Sequence, residues 1–285
     1  MYRMITCDLD ETLLTDEKQI TVENVQAIKE ALAQGVYFVP NTGRNFLTVQ
    51  ANLRQLGLYQ RKDAYVISFN GGAIIENYHN KAMVVNEMPF DVVEVLFKLG
   101  VAAHYCVHVY TLDKLFIWNI KQEEIDYLSG RINGWIDLKE PDISHLRSER
   151  LVKVIFSVPE SSKRKRVKRE ITEKFPFSLN ITFSSGRYVE FNPAAADKGQ
   201  AILALGEKLG IKAEEIVAIG DNSNDLAMIR KAGLGVSVQN GLQFVKDEAD
   251  YITKCDNNHS AVAEVIKKFV LPQASQESLG FKRTV

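Results

Sequence analysis

The sequence predicts an α/β fold: a doubly wound parallel sheet interrupted by an inserted α+β unit. Three observations carry this expectation. Short apolar runs alternate with helix-period segments over residues 4–76 and again from 198 onward. Between these stretches the pattern changes to paired strands separated by single helices, as in an antiparallel sheet. The chain has 285 residues, 46% of them hydrophobic, enough for one large domain or a core with an insert.

Residues 4–9 form a short apolar run suited to a buried strand. Thr21 can cap a helix whose apolar positions are Val22, Val25, Ile28 and Leu32, and Gly35 can end it. Residues 36–40 read as the next strand. Phe46, Val49, Leu53 and Leu56 mark a second helix closed by Gly57. Residues 64–69 are strand-like, and the turn signal at 70–72 leads into a strand at 74–76. The alternation implies parallel pairing through crossover helices.

The insert begins with a helix at 90–99, in which Val93, Leu96 and Phe97 are core positions. Strands at 104–110 and 115–119 follow, joined by a turn, and then a helix at 123–132. An alternating strand at 151–158 precedes a strongly charged helix at 163–174. Segments 179–183 and 188–191 read as a hairpin. The βα alternation then returns: helix 198–209, strand 216–219, helix 226–232, strand 234–238 and a helix around 261–269. The expected division is a discontinuous core of residues 1–82 and 191–285, with an insert at 83–190. The tail after Pro272 is polar and expected to be mobile.

A formal net charge of −1 argues against a general nucleic-acid binder, which needs a basic surface. Cys7, Cys106 and Cys255 are odd in number and widely spaced, which fits reduced thiols better than a disulfide framework. Acidity from Asp8 leaves no signal-peptide apolar region, and no apolar run approaches the ~20 residues of a membrane span. A cytoplasmic protein is expected, monomeric or a weak homo-oligomer, with no nucleic-acid or membrane partner.

Four polar clusters fall at strand ends or helix starts. Asp8 and Asp10 stand two apart and can face one site. Alone they could be a solvated turn or a helix cap, or the metal–nucleotide site of a glycosyltransferase. Thr42 and Gly43 follow an apolar strand and offer a hydroxyl and amide donors, though a plain strand–turn–helix junction has the same form. Lys198 begins a helix, where a cation opposes the helix dipole unless something anionic lies near. A solvated lysine is the ordinary alternative. Gly220-Asp221-Asn222-Ser223-Asn224-Asp225 closes a strand with more acids and amides than one helix cap explains. A parallel sheet brings such ends to one edge. Acids, a hydroxyl, a lysine and amides converging there make a phosphoryl-transfer site.

The segments DLDETLL, NTGR, DKG and GDNSNDLAMI resemble, in order and spacing, the motifs of the haloacid dehalogenase superfamily of phosphohydrolases. The chain is most similar to the Cof-type branch, which has a Rossmann-like core and a large α/β cap. ISFNGGAII and GVSVQNGLQFVKDEADYI extend the resemblance over nearly all of the core. It implies a Mg²⁺-dependent phosphatase acting on a small phosphorylated metabolite such as a sugar phosphate or phosphorylated cofactor. Asp8 would be the nucleophile, forming an aspartyl-phosphate, and Asp10 the general acid and then base. Thr42, Gly43, Lys198 and Asn224 would hold the phosphoryl group. Asp8, the backbone carbonyl of Asp10, and Asp221 would bind the metal, with Asp225 beside them. The resemblance leads to the expectation that Asp8 is ionised while Asp10 is protonated.

The chain departs from the family pattern at Glu11, where glycine is usual, at Asn41, where a small residue is common, and at Ser260-Ala261, where a glycine is more typical. Substrate choice should lie in the cap, where Tyr105, Tyr110, Trp118, His104 and His108 are candidate pocket residues. For any single one, facing the cap's own core or solvent is the better reading. The basic run at 163–169 reads as a solvated helix face. Two other readings stay open. A phosphomutase would share the aspartyl-phosphate and require a sugar bisphosphate. A non-catalytic phosphate-binding regulator would bind Mg²⁺ and phosphate without turnover.

Overall fold

A computed structural model describes residues 1–129, 132, 134–176 and 178–271. The tail from residue 272, expected to be mobile, lies outside the described residues. The first stretch builds β1 (Met4–Cys7), α1 (Val22–Ala33), β2 (Tyr37–Pro40) and α2 (Gln50–Leu56), then β3 (Tyr65–Ser68), β4 (Ala73–Glu76) and β5 (Lys81–Val85). Next come α3 (Phe90–Ala102), β6 (Cys106–Thr111), β7 (Leu115–Trp118), α4 (Gln122–Leu128), β8 (Ile136–Leu138) and β9 (Leu151–Ser157). They are followed by α5 (Ser161–Lys174), β10 (Leu179–Ser184) and β11 (Tyr188–Pro193). The last stretch adds α6 (Lys198–Leu209), β12 (Ile216–Gly220), α7 (Leu226–Lys231), β13 (Leu234–Ser237), α8 (Gln243–Lys246), β14 (Tyr251–Ile252) and α9 (Ala261–Val265).

Five strands form a parallel sheet in the order β14-β13-β12-β1-β2. Successive side chains point to opposite faces. Ile5, Cys7, Val217 and Ile219 pack with α1 and α9, while Met4, Val39, Ile216 and Ala218 pack with α6 and α7. Helices on both faces make this the expected doubly wound core. Thr21 caps α1 as expected, its hydroxyl accepting from the Asn24 amide. The buried stripe of α1 is rotated from the expected one: Asn24, Ala27, Ile28 and Ala31 are inside, and Val22 is 77% exposed. The helix expected from Phe46 begins as a tight 3-10 turn and becomes α-helical only at Gln50.

The third strand does not extend the parallel ladder as expected. β3, β4 and β5 form their own antiparallel sheet, tied to the end of β2 by one parallel bridge between Asn41 and Ile67. Phe69 and Asn70 both take positive φ and reverse the chain too sharply for a crossover helix. β5, β8, α8 and β14 lack a sequence signal long enough to read.

A second, six-stranded sheet has the order β10-β11-β9-β6-β7-β8, antiparallel except for β7 against β8. Its alternation gives it two different faces. Val107, Val109, Val154, Phe156, Val189 and Phe191 pack under α3 and α5. Tyr110, Lys153, Ile155, Tyr188 and Glu190 alternate with these on β6, β9 and β11 and line a cavity on the other side. Residues 83 and 190, the expected limits of the insert, lie within β5 and β11. The basic run sits on α5, which buries only Val167 and Ile171 and is edged by exposed ion pairs to Glu160 and Glu170. No described helix is long and apolar enough to cross a membrane.

Under α4 lies a buried polar knot. Glu124 accepts from Tyr188 Oη and from Ser157 Oγ at 3.0 Å, and Arg187 Nη2 and His108 Nε2 lie 3.4 and 3.3 Å from it. Burial opposes its ionisation, but His108, Tyr188 and Ser157 outweigh that and draw it down to about 2. Its folded pKa is thus below the ~4.3 of an unfolded glutamate, so the stabilisation is complete above that pH and fades toward pH 2. Glu124→Gln should cost about 1–3 kcal/mol at pH 7. In urea titrations at several pH values, the difference from wild type should shrink as pH falls from about 4.5 toward 2. A difference that stays constant over that window would count against the knot.

Candidate active site

Asp8, Asn41 and Asp221 are the first residues after β1, β2 and β12. These strands are adjacent and parallel, so residues from three distant parts of the chain emerge on one edge. Lys198, the first residue of α6, is 1% exposed. Its Nζ donates to Asp8 Oδ1 at 2.5 Å and to Asp225 Oδ1 at 2.6 Å. The anion demanded by a cation at a helix start is therefore a pair of carboxylates. Burial would lower the lysine's pKa, yet Asp225 and Asp8 outweigh it and hold the ammonium charged.

Asp225 Oδ2 accepts from the backbone N–H groups of Asp221 and Asn222, each at 3.0 Å, and so closes the loop after β12. Thr12 Oγ1 donates to Asp221 Oδ1 at 2.7 Å. Carboxylate oxygens of Asp8, Asp221 and Asp225 lie within 4.8 Å of one another. Three carboxylates thus face one ammonium. Burial, with the neighbouring acids adding to it, pushes Asp8 up to about 7 and Asp221 up to about 8. A hard divalent cation, which takes oxygen ligands, fits this donor set.

Asp10 stands apart from that group. Its carboxylate is gripped by Arg44 through two hydrogen bonds, one of them at 2.7 Å, and by Lys18 at 3.2 Å. Burial opposes ionisation, but Arg44 and Lys18 prevail and hold Asp10 below its ordinary pKa. The expected division between the two acids is therefore reversed in this state: burial raises Asp8, and paired cations lower Asp10.

A cavity of about 510 Å³ opens over these groups. Asp8, Asp10, Thr42, Gly43, Asp221 and Asn224 all line it. Lys198 and Asp225 sit behind Asp8 in the interior instead of on the wall. Thr42 is buried, and its hydroxyl accepts from the Arg44 amide at 3.1 Å. A Cβ at Gly43 would come within 2.9 Å of Asn70 Oδ1, the oxygen that accepts from Asn224 Nδ2 at 3.2 Å. Gly43 therefore lets the two asparagines reach the threonine loop. Glu11 and Ser260, both at positions where glycine was expected, have φ of +60° and +64°. That conformation costs an ordinary residue roughly 1–2 kcal/mol. Asn240 Nδ2 supports the first turn by donating to the Glu11 carbonyl at 2.7 Å. The Asn41 carboxamide is buried and donates to the Lys198 carbonyl at 3.3 Å, which ties β2 to α6.

Of the aromatic and histidine candidates in the insert, Tyr110 alone is on the cavity wall. Tyr105 packs on Phe156, Trp118 lies against the core under α3, His104 is at a turn, and His108 faces Glu124. Sequence reasoning missed Lys18, Arg44, Asn70, Lys153 and Glu190. Lys153 Nζ donates to Glu190 Oε2 at 2.7 Å and to the Gly43 carbonyl at 3.0 Å, and Asn70 Nδ2 donates to Glu190 Oε2 at 3.1 Å. Charged residues inside otherwise apolar strands were the available signal for Lys153 and Glu190.

The chain matches the haloacid dehalogenase-like hydrolase family over residues 5–266. It is 31% identical over 270 residues to the 5-amino-6-(5-phospho-D-ribitylamino)uracil phosphatase YcsE of Bacillus subtilis, covering 94% of this chain and 96% of that protein. It is 26% identical over 246 residues to the HMP-PP phosphatase of Serratia proteamaculans, covering 86% and 87%. The crystal structure of a haloacid dehalogenase-like hydrolase from Bacteroides thetaiotaomicron superposes with a TM-score of 0.82 at 28% identity, covering 93% and 98%.

Lys198→Met would leave Asp8 and Asp225 buried without their counter-charge. The variant should lose about 3–5 kcal/mol in a urea titration. A loss below about 1 kcal/mol, the value of an exposed pair, would show that the bridge is not a buried one.

Proposed function

The chain belongs to the haloacid dehalogenase-like hydrolases and is a phosphatase, and we propose that it hydrolyses a small organic phosphomonoester through an aspartyl-phosphate on Asp8. The observation that supports this most directly is the carboxylate of Asp8. It sits at the end of β1, an interior strand of the parallel sheet, on the cavity wall, with Oδ1 fixed by Lys198. Oδ2 has no hydrogen-bond partner among the described residues.

Asp8, Asp221 and the Asp10 backbone carbonyl would hold Mg²⁺, with Asp225 beside them. When bound, the cation offsets the crowded negative charge and polarises the phosphoryl group. In this reading Asp8 attacks phosphorus as the ester P–O bond breaks. Thr42, the Gly43 amide and Asn224 position the phosphoryl oxygens. An arriving phosphate competes with Asp10 for Arg44 and Lys18. Once released from them, Asp10 rises toward the neutral form and can protonate the departing oxygen. It then takes a proton from water, water attacks the acyl phosphate, and phosphate leaves with Asp8 restored. The six-stranded sheet acts as a cap over the cavity, hinged at segments 86–89 and 194–197, and excludes bulk water when closed.

Phosphate release should be measured from sugar phosphates, pyridoxal phosphate and flavin mononucleotide, with Mg²⁺ and with chelator. Release should require Mg²⁺ and fall by roughly 10³-fold or more in Asp8→Asn. Near-normal release from that variant would overturn the role of Asp8. Separately, Mg²⁺ should raise the thermal midpoint of the wild type, as any ligand of the native state does, and do so much less in Asp221→Asn.

A further inference from the structure

Two charged residues of the six-stranded sheet reach across the cavity edge to the core. Lys153 on β9 and Glu190 on β11 share one face of that sheet: Glu190 is opposite Ile155, and Lys153 is two residues along. They are 3% and 6% exposed and form an ion pair at 2.7 Å. A buried pair of this kind is often no more stable than two apolar side chains of similar size. Stability alone is therefore a weak reason for it. Each partner, however, makes a bond that crosses to the core. Lys153 Nζ donates to the Gly43 carbonyl at 3.0 Å, and Glu190 Oε2 accepts from Asn70 Nδ2 at 3.1 Å. Ser184 on β10 holds Glu190 Oε1 from the other side.

The carbonyl that Lys153 takes belongs to the Gly43–Arg44 peptide. The N–H of the same peptide donates to Thr42 Oγ1 at 3.1 Å. The peptide is trans, so its C=O and N–H point in opposite directions, and fixing one fixes the other. With that N–H on its oxygen, the Thr42 hydroxyl keeps its own hydrogen for a phosphoryl oxygen. The peptide also leads into Arg44, whose guanidinium lies on Asp10. Glu190 acts through Asn70. Holding Nδ2 settles which way the carboxamide faces and turns Oδ1 to Asn224 Nδ2 at 3.2 Å. One hydrogen of the Asn224 amide is thereby engaged, and the second is left for the phosphoryl group. Backbone bonds join the two core loops: the Asn70 N–H donates to the Thr42 carbonyl at 3.0 Å and the Phe69 N–H to the Arg44 carbonyl at 3.2 Å.

We infer that Lys153 and Glu190 are positioning residues: through the Gly43–Arg44 peptide and Asn70, the seated cap sets Thr42, Arg44 and Asn224 to receive the phosphoryl group. This rests on the phosphatase reading above and adds a link between seating of the cap and assembly of the phosphoryl seat on the core. With the cap lifted, Gly43 and Asn70 lose these partners, and the seat loosens while water has access to it.

Inorganic phosphate, bound in the presence of Mg²⁺ and followed by calorimetry, reports on the seat alone, because it carries no leaving group for the cap to touch. Lys153→Met/Glu190→Met keeps the net charge and replaces the pair with apolar side chains, so it should fold with a thermal midpoint near that of the wild type. Its phosphate affinity should fall about tenfold or more, and its kcat for phosphate release about 10²-fold. Glu190→Met alone removes a negative charge, which through the field alone would tighten phosphate binding. With Asn70 released, binding should weaken instead. Glu190→Gln, which keeps an oxygen toward Asn70, should recover most of that loss. A double variant that binds phosphate as the wild type does, with only the ester KM raised, would make the pair a leaving-group contact and overturn the inference. Tighter phosphate binding in Glu190→Met would overturn it too. Failure of the phosphatase reading has a different signature: the wild type would bind no phosphate with Mg²⁺ and release none from any ester.

Discussion

The ammonium of Lys198, held between Asp8 and Asp225, is the contact around which the site is organised. It joins the end of the first strand, the start of α6 and the loop before α7 in one buried ionic centre. A buried lysine is tolerable only with its charge compensated, and two buried aspartates only with theirs. Each therefore fixes where the others can be. β1 lies between β2 and β12, so Asp8, Asn41 and Asp221 emerge side by side, and the start of α6 brings Lys198, 190 positions from Asp8, against them. The third acid, Asp221, is the surplus that an oxygen-seeking cation would neutralise.

Much of this was legible because it is local. A strand ending in Asp, Thr or Gly-Asp can be seen without knowing the strand's neighbours, and the parallel edge then gathers such ends. The core elements were readable within a few residues for the same reason. Pairings between side chains from separate elements were not. Nothing near Asp10 announces that Arg44 and Lys18 will grip it, and without those partners its preference relative to Asp8 comes out reversed. The reversal between β3 and β4 was visible as the turn signal at 70–72, but that these strands pair with β5 in a sheet of their own was not, because β5 carries no sequence signal and the pairing is between separate elements. Glu11 and Ser260 are the converse. Their departure from glycine was visible, and the structure supplies the reason that glycine would suit both positions.

The six-stranded sheet shows how period-two patterning serves two purposes at once. Its apolar side, under α3 and α5, maintains the unit's own core. The intervening residues are free to be Lys, Glu and Tyr because they face a cavity and not a core. A slip of one residue in β9 would exchange Lys153 for Val152 or Val154 and put a charge under the helices. Register here is therefore a condition of stability and of cavity chemistry together.

The chain path also affects the order in which the protein can assemble as it is made. The strands of the six-stranded sheet all come from one continuous segment, 106–193, so that sheet can close as soon as this segment is available. The parallel sheet cannot. One edge of β1 stays without its partner until β12, at Ile216–Gly220, has emerged, and its terminal aspartate lacks a counter-ion until Lys198 has. During synthesis at ~5–20 residues per second, that apolar edge remains open for roughly 10–40 s. The layout that joins distant residues into one centre therefore leaves the nascent chain exposed to wrong pairings, with the inserted sheet already formed beside it.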